Sequence, residues 1–196
     1  MSSIQDIIVH RGNSPVNKSS SREQTLHYVE LGFKRIEIDI YATAPDTFKF
    51  CHPLVRDQVH EEYKLNDGFM EKLVQDGGDT IWLVDLKCLD LDEPPVEVFK
   101  YLTDSFRKTD YFVSAQREIL QAAHDAGIPE IQYFRDDMEP DLGFTPFGYT
   151  QSADNIQYEK DRVVVNCDTP DQALGFVDQG YFGAMVDGDK LLAALE

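Results

Sequence analysis

Two carboxylates, Glu37 and Asp39, interrupt the apolar run 35–41, Arg-Ile-Glu-Ile-Asp-Ile-Tyr. Side chains of a strand alternate between faces, so this pair shares one face while Ile36, Ile38 and Ile40 share the other. Two carboxylates on one face are half a cation site. In the run 80–87, Thr-Ile-Trp-Leu-Val-Asp-Leu-Lys, the same alternation puts Leu83, Asp85 and Lys87 together and leaves Trp82, Val84 and Leu86 for packing. Asp85 thereby offers a third carboxylate from an adjacent strand; taken alone, Asp85 and Lys87 read equally well as an internal ion pair. Ligands that are all oxygen suit calcium or magnesium better than zinc. The same carboxylates could instead serve as a metal-free acid/base pair. Two histidines border them: His10 opens His10-Arg11-Gly12 at the end of the run 6–10, and His52-Pro53 follows the short extended segment 47–51.

Side chains so far apart in sequence need a scaffold that gathers strand ends. Apolar runs rich in β-branched residues occur at 6–10, 35–41, 80–87, 111–114, 130–134, 162–166 and 181–187, with a weaker one at 143–149 that contains Pro146. Between them lie stretches of helical period at 21–31, 67–75, 95–106, 116–125 and 170–178, and a short closing helix is expected at 191–195. Gly32, Gly77, Gly127 and Gly180 are expected as C-terminal caps, and Ser21, Asp67 and Thr169 as side-chain caps at the start. Alternating strand and helix implies a parallel sheet. Eight strands imply an α/β fold of the (β/α)8 TIM-barrel type, whose carboxyl-terminal strand ends share one mouth. At 196 residues the barrel is near-minimal, since about 250 are typical. An open doubly wound sheet is the alternative, but no Gly-rich phosphate fingerprint follows a strand. No repeat or linker divides the chain, so residues 1–196 are expected to form one domain. The acidic stretch 90–95 reads as a loop.

The segments Ile7-Ile8-Val9-His10-Arg11-Gly12 (with Pro15 and Asn17 after it), Ile36-Glu37-Ile38-Asp39-Ile40, Phe50-Cys51-His52 and Asp85-Leu86-Lys87 resemble the glycerophosphodiester phosphodiesterases. That family belongs with the phosphatidylinositol-specific phospholipases C and sphingomyelinases D in one superfamily of barrel phosphodiesterases. The run from Gly180 to Asp187 resembles the family's closing strand. The resemblance implies that His10 and His52 are general acid and base, that Glu37, Asp39 and Asp85 hold a divalent cation, Mg2+ or Ca2+, and that Arg11 and Lys87 bind phosphate oxygens. A histidine pair can give and take a proton near neutral pH. The sequence departs from the family in four places. Asp85 stands where glutamate is usual, and Pro15-Val16-Asn17-Lys18 stands for Pro-Glu-Asn-Thr. Val163 to Cys167 lacks the aromatic residue of the penultimate strand. The interval from His52 to Asp85 is also too short for the small subdomain usually inserted there.

The expected function is therefore metal-dependent hydrolysis of a phosphodiester, a glycerophosphodiester by default. The alternatives are a non-catalytic relative that binds a cation or a phosphorylated ligand, and a phospholipase acting by internal transfer to a cyclic phosphate. Acidic residues outnumber basic ones 36 to 18, a formal charge of -18, so nucleic acid and anionic lipid surfaces are poor partners. A small phosphodiester remains the expected partner, drawn by a local positive patch. Cys51, Cys88 and Cys167 form no paired metal or redox motif and read as reduced thiols. No apolar run spans a bilayer and no secretory signal opens the sequence, so integral membrane association is not expected and a cytoplasmic location is.

Overall fold

The computed structural model describes residues 1–13, 21–55, 60–89, 91–92, 95–114, 116–125, 127, 132–135, 147–150 and 159–196. Expectations for Pro15 to Lys18, and for parts of the segments 90–95, 130–134 and 143–149, fall outside them. After a short 3-10 turn at Ile4–Asp6, the elements run in the order β1 (Ile8–His10), α1 (Arg22–Glu30), β2 (Arg35–Ala44), β3 (Thr47–Lys49), β4 (Glu62–Lys64), α2 (Phe69–Asp76), β5 (Ile81–Lys87), α3 (Val96–Ser105) and β6 (Tyr111–Val113). They continue with α4 (Arg117–Asp125), β7 (Gln132–Arg135), β8 (Phe147–Thr150), β9 (Val163–Asn166), α5 (Pro170–Asp178), β10 (Gly183–Asp187) and α6 (Gly188–Leu195). Each expected strand segment overlaps one of these strands, although β2, β7 and β8 run past the expected ends at 41, 134 and 149.

The strands form one curled sheet in the order β1-β10-β9-β8-β7-β6-β5-β2-β3-β4. Its parallel part runs from β1 round to β2, and β1 also pairs directly with β2, Ile8 opposite Arg35 and Val9 opposite Ile36. β3 and β4 are antiparallel additions on the far end of β2. The strand β4 has no counterpart among the expected elements, because its residues alternate between exposed and half-buried with no apolar face to reveal it.

Two apolar layers follow from the alternation. Ile36, Ile38, Ile40, Trp82, Val84 and Leu86 belong to the large core between sheet and helices. Ile8, Leu83, Val113, Val164 and Met185 form a small cluster on the opposite face, inside the curl. Burying each such side chain contributes roughly 1.5–3 kcal/mol. On the inner face of β2 and β5 the apolar side chains give way, at successive inward positions, to Glu37, Asp39 and Asp85.

The helices start where small polar side chains can replace missing donors. Ser21 Oγ accepts from Gln24 N–H at the head of α1, and Thr169 Oγ1 accepts from Gln172 N–H at the head of α5. Asp67 does not cap α2. Its carboxylate instead accepts from Lys64 N–H at 2.7 Å, closing the turn after β4, and Gly68 occupies the cap position. After α2 the left-handed backbone falls on Gly78 rather than Gly77, whose missing Cβ lets Trp82 pack against the chain. α6 begins at Gly188, three residues before the expected start, so the helix follows β10 without a loop.

Phe48 and Phe50 of the β3 segment pack with Tyr63 and Phe69, the last pair with ring centroids 4.0 Å apart. Tyr101 on α3 ties this cluster to α2: its hydroxyl accepts from Met70 N–H at 3.0 Å and donates to Glu71 at 2.7 Å. The antiparallel addition is thus held as a small hydrophobic unit, and it returns the chain to β2 at Phe50 and Cys51, next to His52. Among the described residues, no helix is long and apolar enough to cross a membrane.

Candidate active site

Register brings the carboxylates together. Glu37 lies opposite Leu83 and Asp39 opposite Asp85 along the β2–β5 pair, so Glu37, Asp39 and Asp85 point from adjacent strands into the same space. Each offers an oxygen within 4.8 Å of the others, a span that one hard cation with bonds of about 2.3–2.6 Å can cover. Glu37 and Asp39 are each 1% exposed and Asp85 is 7% exposed.

Carboxylates this deep are costly unless they are partnered, by several kcal/mol per ion. Both oxygens of Asp39 and Oδ1 of Asp85 are buried without a hydrogen-bond partner. Burial, with repulsion from Asp39 and Asp85, holds the Glu37 carboxyl well above its ordinary range; burial pushes Asp39 up to about 7 and also raises Asp85. The Lys87 ammonium pairs with Asp85 Oδ2. Burial pulls its pKa down, but the Asp85 and Asp39 charges outweigh that and leave it raised. Thus Asp85 is both an ion-pair partner and a member of the acidic cluster, and one lysine does not offset three carboxylates.

The β1 end packs over this cluster. Arg11 N–H donates to Glu37 Oε2 at 2.6 Å, and Gly12 N–H donates to Glu37 O at 3.0 Å. A Cβ at residue 12 would lie 2.5 Å from the Ile36 side chain, so only glycine lets the loop approach β2 this closely. Arg11 adopts φ +53, the left-handed region that non-glycine residues rarely occupy. Its Nε is buried without a partner. Backbone strain of this kind gathers at functional sites.

The two histidines are fixed in opposite senses. His10 Nδ1 lies 2.7 Å from Asp187 Oδ1, so it carries the proton and donates, which leaves Nε2 with a free lone pair. His52 Nδ1 accepts from Leu54 N–H at 3.0 Å, so in the neutral ring the proton sits on Nε2. Burial lowers the His10 pKa despite the opposing bond to Asp187, while burial together with the charges of Arg11, Lys87 and His10 lowers that of His52 to about 3. That coupling of His52 to Arg11, Lys87 and His10 puts the four groups in one neighbourhood.

All seven expected site residues therefore gather at the end of β1, on the inner face of β2 and β5 and in the loop after β3. Two further residues belong with them. Asp187 ends β10 directly opposite His10 in the parallel register, and its carboxyl is held below the ordinary range by the His10 bond. The strand-end rule that selected His10 also applies to Asp187. The second, Asn13, is fully buried against β2, and no spacing in the sequence marks it. A small cavity of about 20 Å³ on the helix side of the sheet, lined by Val84, Leu102, Phe106, Arg107, Asp110, Tyr111 and Phe112, contains none of the site residues.

No protein-family model and no curated protein matches the sequence. Among solved structures, the chain is similar to a glycerophosphodiester phosphodiesterase from Parabacteroides distasonis ATCC 8503, with a TM-score of 0.66 and 14% identity over 97% of this chain and 98% of that one. It is also similar to a candidate glycerophosphoryl diester phosphodiesterase from Silicibacter pomeroyi DSS-3 (TM-score 0.47, 12% identity, 92% and 81% covered), a likeness too slight to carry weight. The first likeness shows the fold, matched nearly end to end.

Proposed function

We propose that this chain is a phosphoric diester hydrolase with glycerophosphodiesters as its default substrates, built as one (β/α)8 domain over residues 1–196. The pairing of β1 with both β10 and β2 supports the barrel. The observation that carries the function is the Asp39 carboxylate, buried and unpartnered beside Glu37 and Asp85 at the same mouth as two histidines. Orphaned, all-oxygen donors fit a hard divalent cation, Mg2+ or Ca2+. Glu37, Asp39 and Asp85 would hold it, and when bound it offsets charge developing on the phosphoryl oxygens.

The side chains divide the remaining work. His10 takes a proton on Nε2 from the attacking water or hydroxyl, and Asp187 steadies the imidazolium that results. His52 presents Nε2–H towards the leaving oxygen. To release that proton fully its ring must first be doubly protonated and give up the bond from Leu54, a change that the negative charge of a diester favours. Arg11 and Lys87 bind the phosphate oxygens; both charges act on Asp39 and Asp85, favouring their ionised forms. With a divalent cation on the three carboxylates, Arg11 and Lys87 would be left to draw a small anionic substrate to an otherwise acidic mouth.

A second reading, a cation-binding relative without turnover, draws on the ion pair that occupies Asp85 Oδ2. Phosphorus NMR of a panel of phosphodiesters, with EDTA and then with added Mg2+ or Ca2+, separates the two. Cation-dependent loss of a glycerophosphodiester signal supports hydrolysis. A cyclic phosphate product assigns internal transfer, and no turnover of any diester favours the second reading.

A further inference from the structure

Asp39 is in an unusual position: its carboxylate has no partner, yet its backbone is fully engaged. In a parallel sheet, alternate residues direct both N–H and C=O to the same neighbouring strand. On β2, Glu37 and Asp39 direct theirs towards β1, but β1 ends at His10. The loop replaces the missing strand. Gly12 N–H donates to Glu37 O, and the Asn13 side chain then binds both backbone groups of Asp39. Its Nδ2–H donates to Asp39 O at 2.8 Å, and its Oδ1 accepts from Asp39 N–H at 2.9 Å. A side-chain amide matches a peptide group in both donor and acceptor, so asparagine reproduces a strand's hydrogen bonds where there is no strand. Both partners are buried, Asn13 at 0% exposure. Neither Asp39 group could turn to water instead.

From this geometry we infer that Asn13 is a positioning residue for the cation, fixing Asp39 against Asp85 and Glu37 by clamping its backbone. The inference rests on the cation-binding role proposed for the acidic cluster. Asp39 cannot be steadied through its own oxygens, because those must stay free for the ion; the clamp acts on the peptide groups and leaves the carboxylate untouched. Outer partners of metal ligands set affinity in this way, and their loss commonly weakens binding about 10–100-fold.

The test is calcium or magnesium binding by isothermal titration calorimetry to EDTA-stripped protein, for the wild type, Asn13→Ala and Asn13→Ser, with thermal melts alongside. Leu120→Ala, in the buried face of α4, is the control for lost stability alone. The expected result is an affinity lowered about 10–100-fold in Asn13→Ala and less in Asn13→Ser, which keeps a hydroxyl, with Leu120→Ala binding like the wild type. If Asn13→Ala does not fold, Asn13→Ser carries the comparison. An unchanged affinity in a folded Asn13 variant overturns the positioning role while leaving the cation site intact. Absence of binding to the wild type overturns the cation site and the positioning role together.

Discussion

Asp187 Oδ1 accepts a 2.7 Å hydrogen bond from His10 Nδ1 across the β1–β10 pair, joining the ends of two strands that lie 177 positions apart. The bond raises the affinity of His10 for a proton against the effect of burial. It also fixes which ring nitrogen faces the mouth.

Asp187→Asn therefore weakens the base and loosens its tautomer. A fall in kcat of about 100-fold or more is expected, the scale of positioned acid–base catalysis. KM should change little. Without the carboxylate the His10 pKa drops further, so the acid limb of the kcat/KM profile moves to lower pH. A profile that keeps its shape and position would show that Asp187 does not act through His10.

His10→Ala and His52→Ala are each expected to lower kcat about 100- to 10,000-fold while leaving cation binding near that of the wild type. Calorimetry and initial rates on the same samples check both halves. Full turnover in either variant rules out a two-histidine mechanism.

Metal-free protein should respond to pH in a way that a cation reverses. Asp39 binds its proton up to about pH 7 in the folded state but only to its ordinary value of 3.8 when unfolded. Its stabilising contribution is thus fully present below about pH 4 and lost as pH rises through 7, and the raised Glu37 and Asp85 act in the same direction. His52, lowered from 6.5 to about 3, opposes this by removing stability as pH falls through that range. The difference between melts with and without cation cancels the histidine contribution. That difference in Tm should be larger at pH 8 than at pH 5; an equal or smaller shift at pH 8 would contradict an acidic binding site.

Arg11→Gly separates strain from function. Glycine occupies φ +53 without the steric cost that arginine carries, about 1–2 kcal/mol. The variant should melt at or above the wild-type temperature and lose at least about tenfold in kcat/KM through the missing guanidinium. A clear drop in Tm would mean that the Arg11 side chain holds the structure together instead of binding substrate.

What the sequence made legible was whatever depends on a two-residue period. The opposite faces of Ile36, Ile38 and Ile40 and of Glu37 and Asp39 could be read directly, because one slip would expose the isoleucines and bury nothing else of value. The return of His52 beside β2 was also readable, since 47–51 is extended and bounded by a turn. Three features were not. Asp187 ends a strand that could be read, but its pairing with His10 depends on the sheet curling until β1 meets β10, a long-range fact that no local pattern encodes. Asn13 works through a loop held within reach of β2 by Gly12, and its sequence neighbours resemble any polar turn. Asp67 looked like a helix cap, but the turn after β4 competed for the same carboxylate and won.

The most direct measurement is the initial rate of diester cleavage by EDTA-stripped protein as Mg2+ or Ca2+ is titrated back, with wild type and Asp39→Asn side by side. The expected result is negligible cleavage without cation, saturable recovery in the wild type, and at least about 100-fold less activity in Asp39→Asn at every concentration. Cleavage that persists in EDTA, or an Asp39→Asn variant that recovers like the wild type, would contradict a catalytic cation held by Glu37, Asp39 and Asp85.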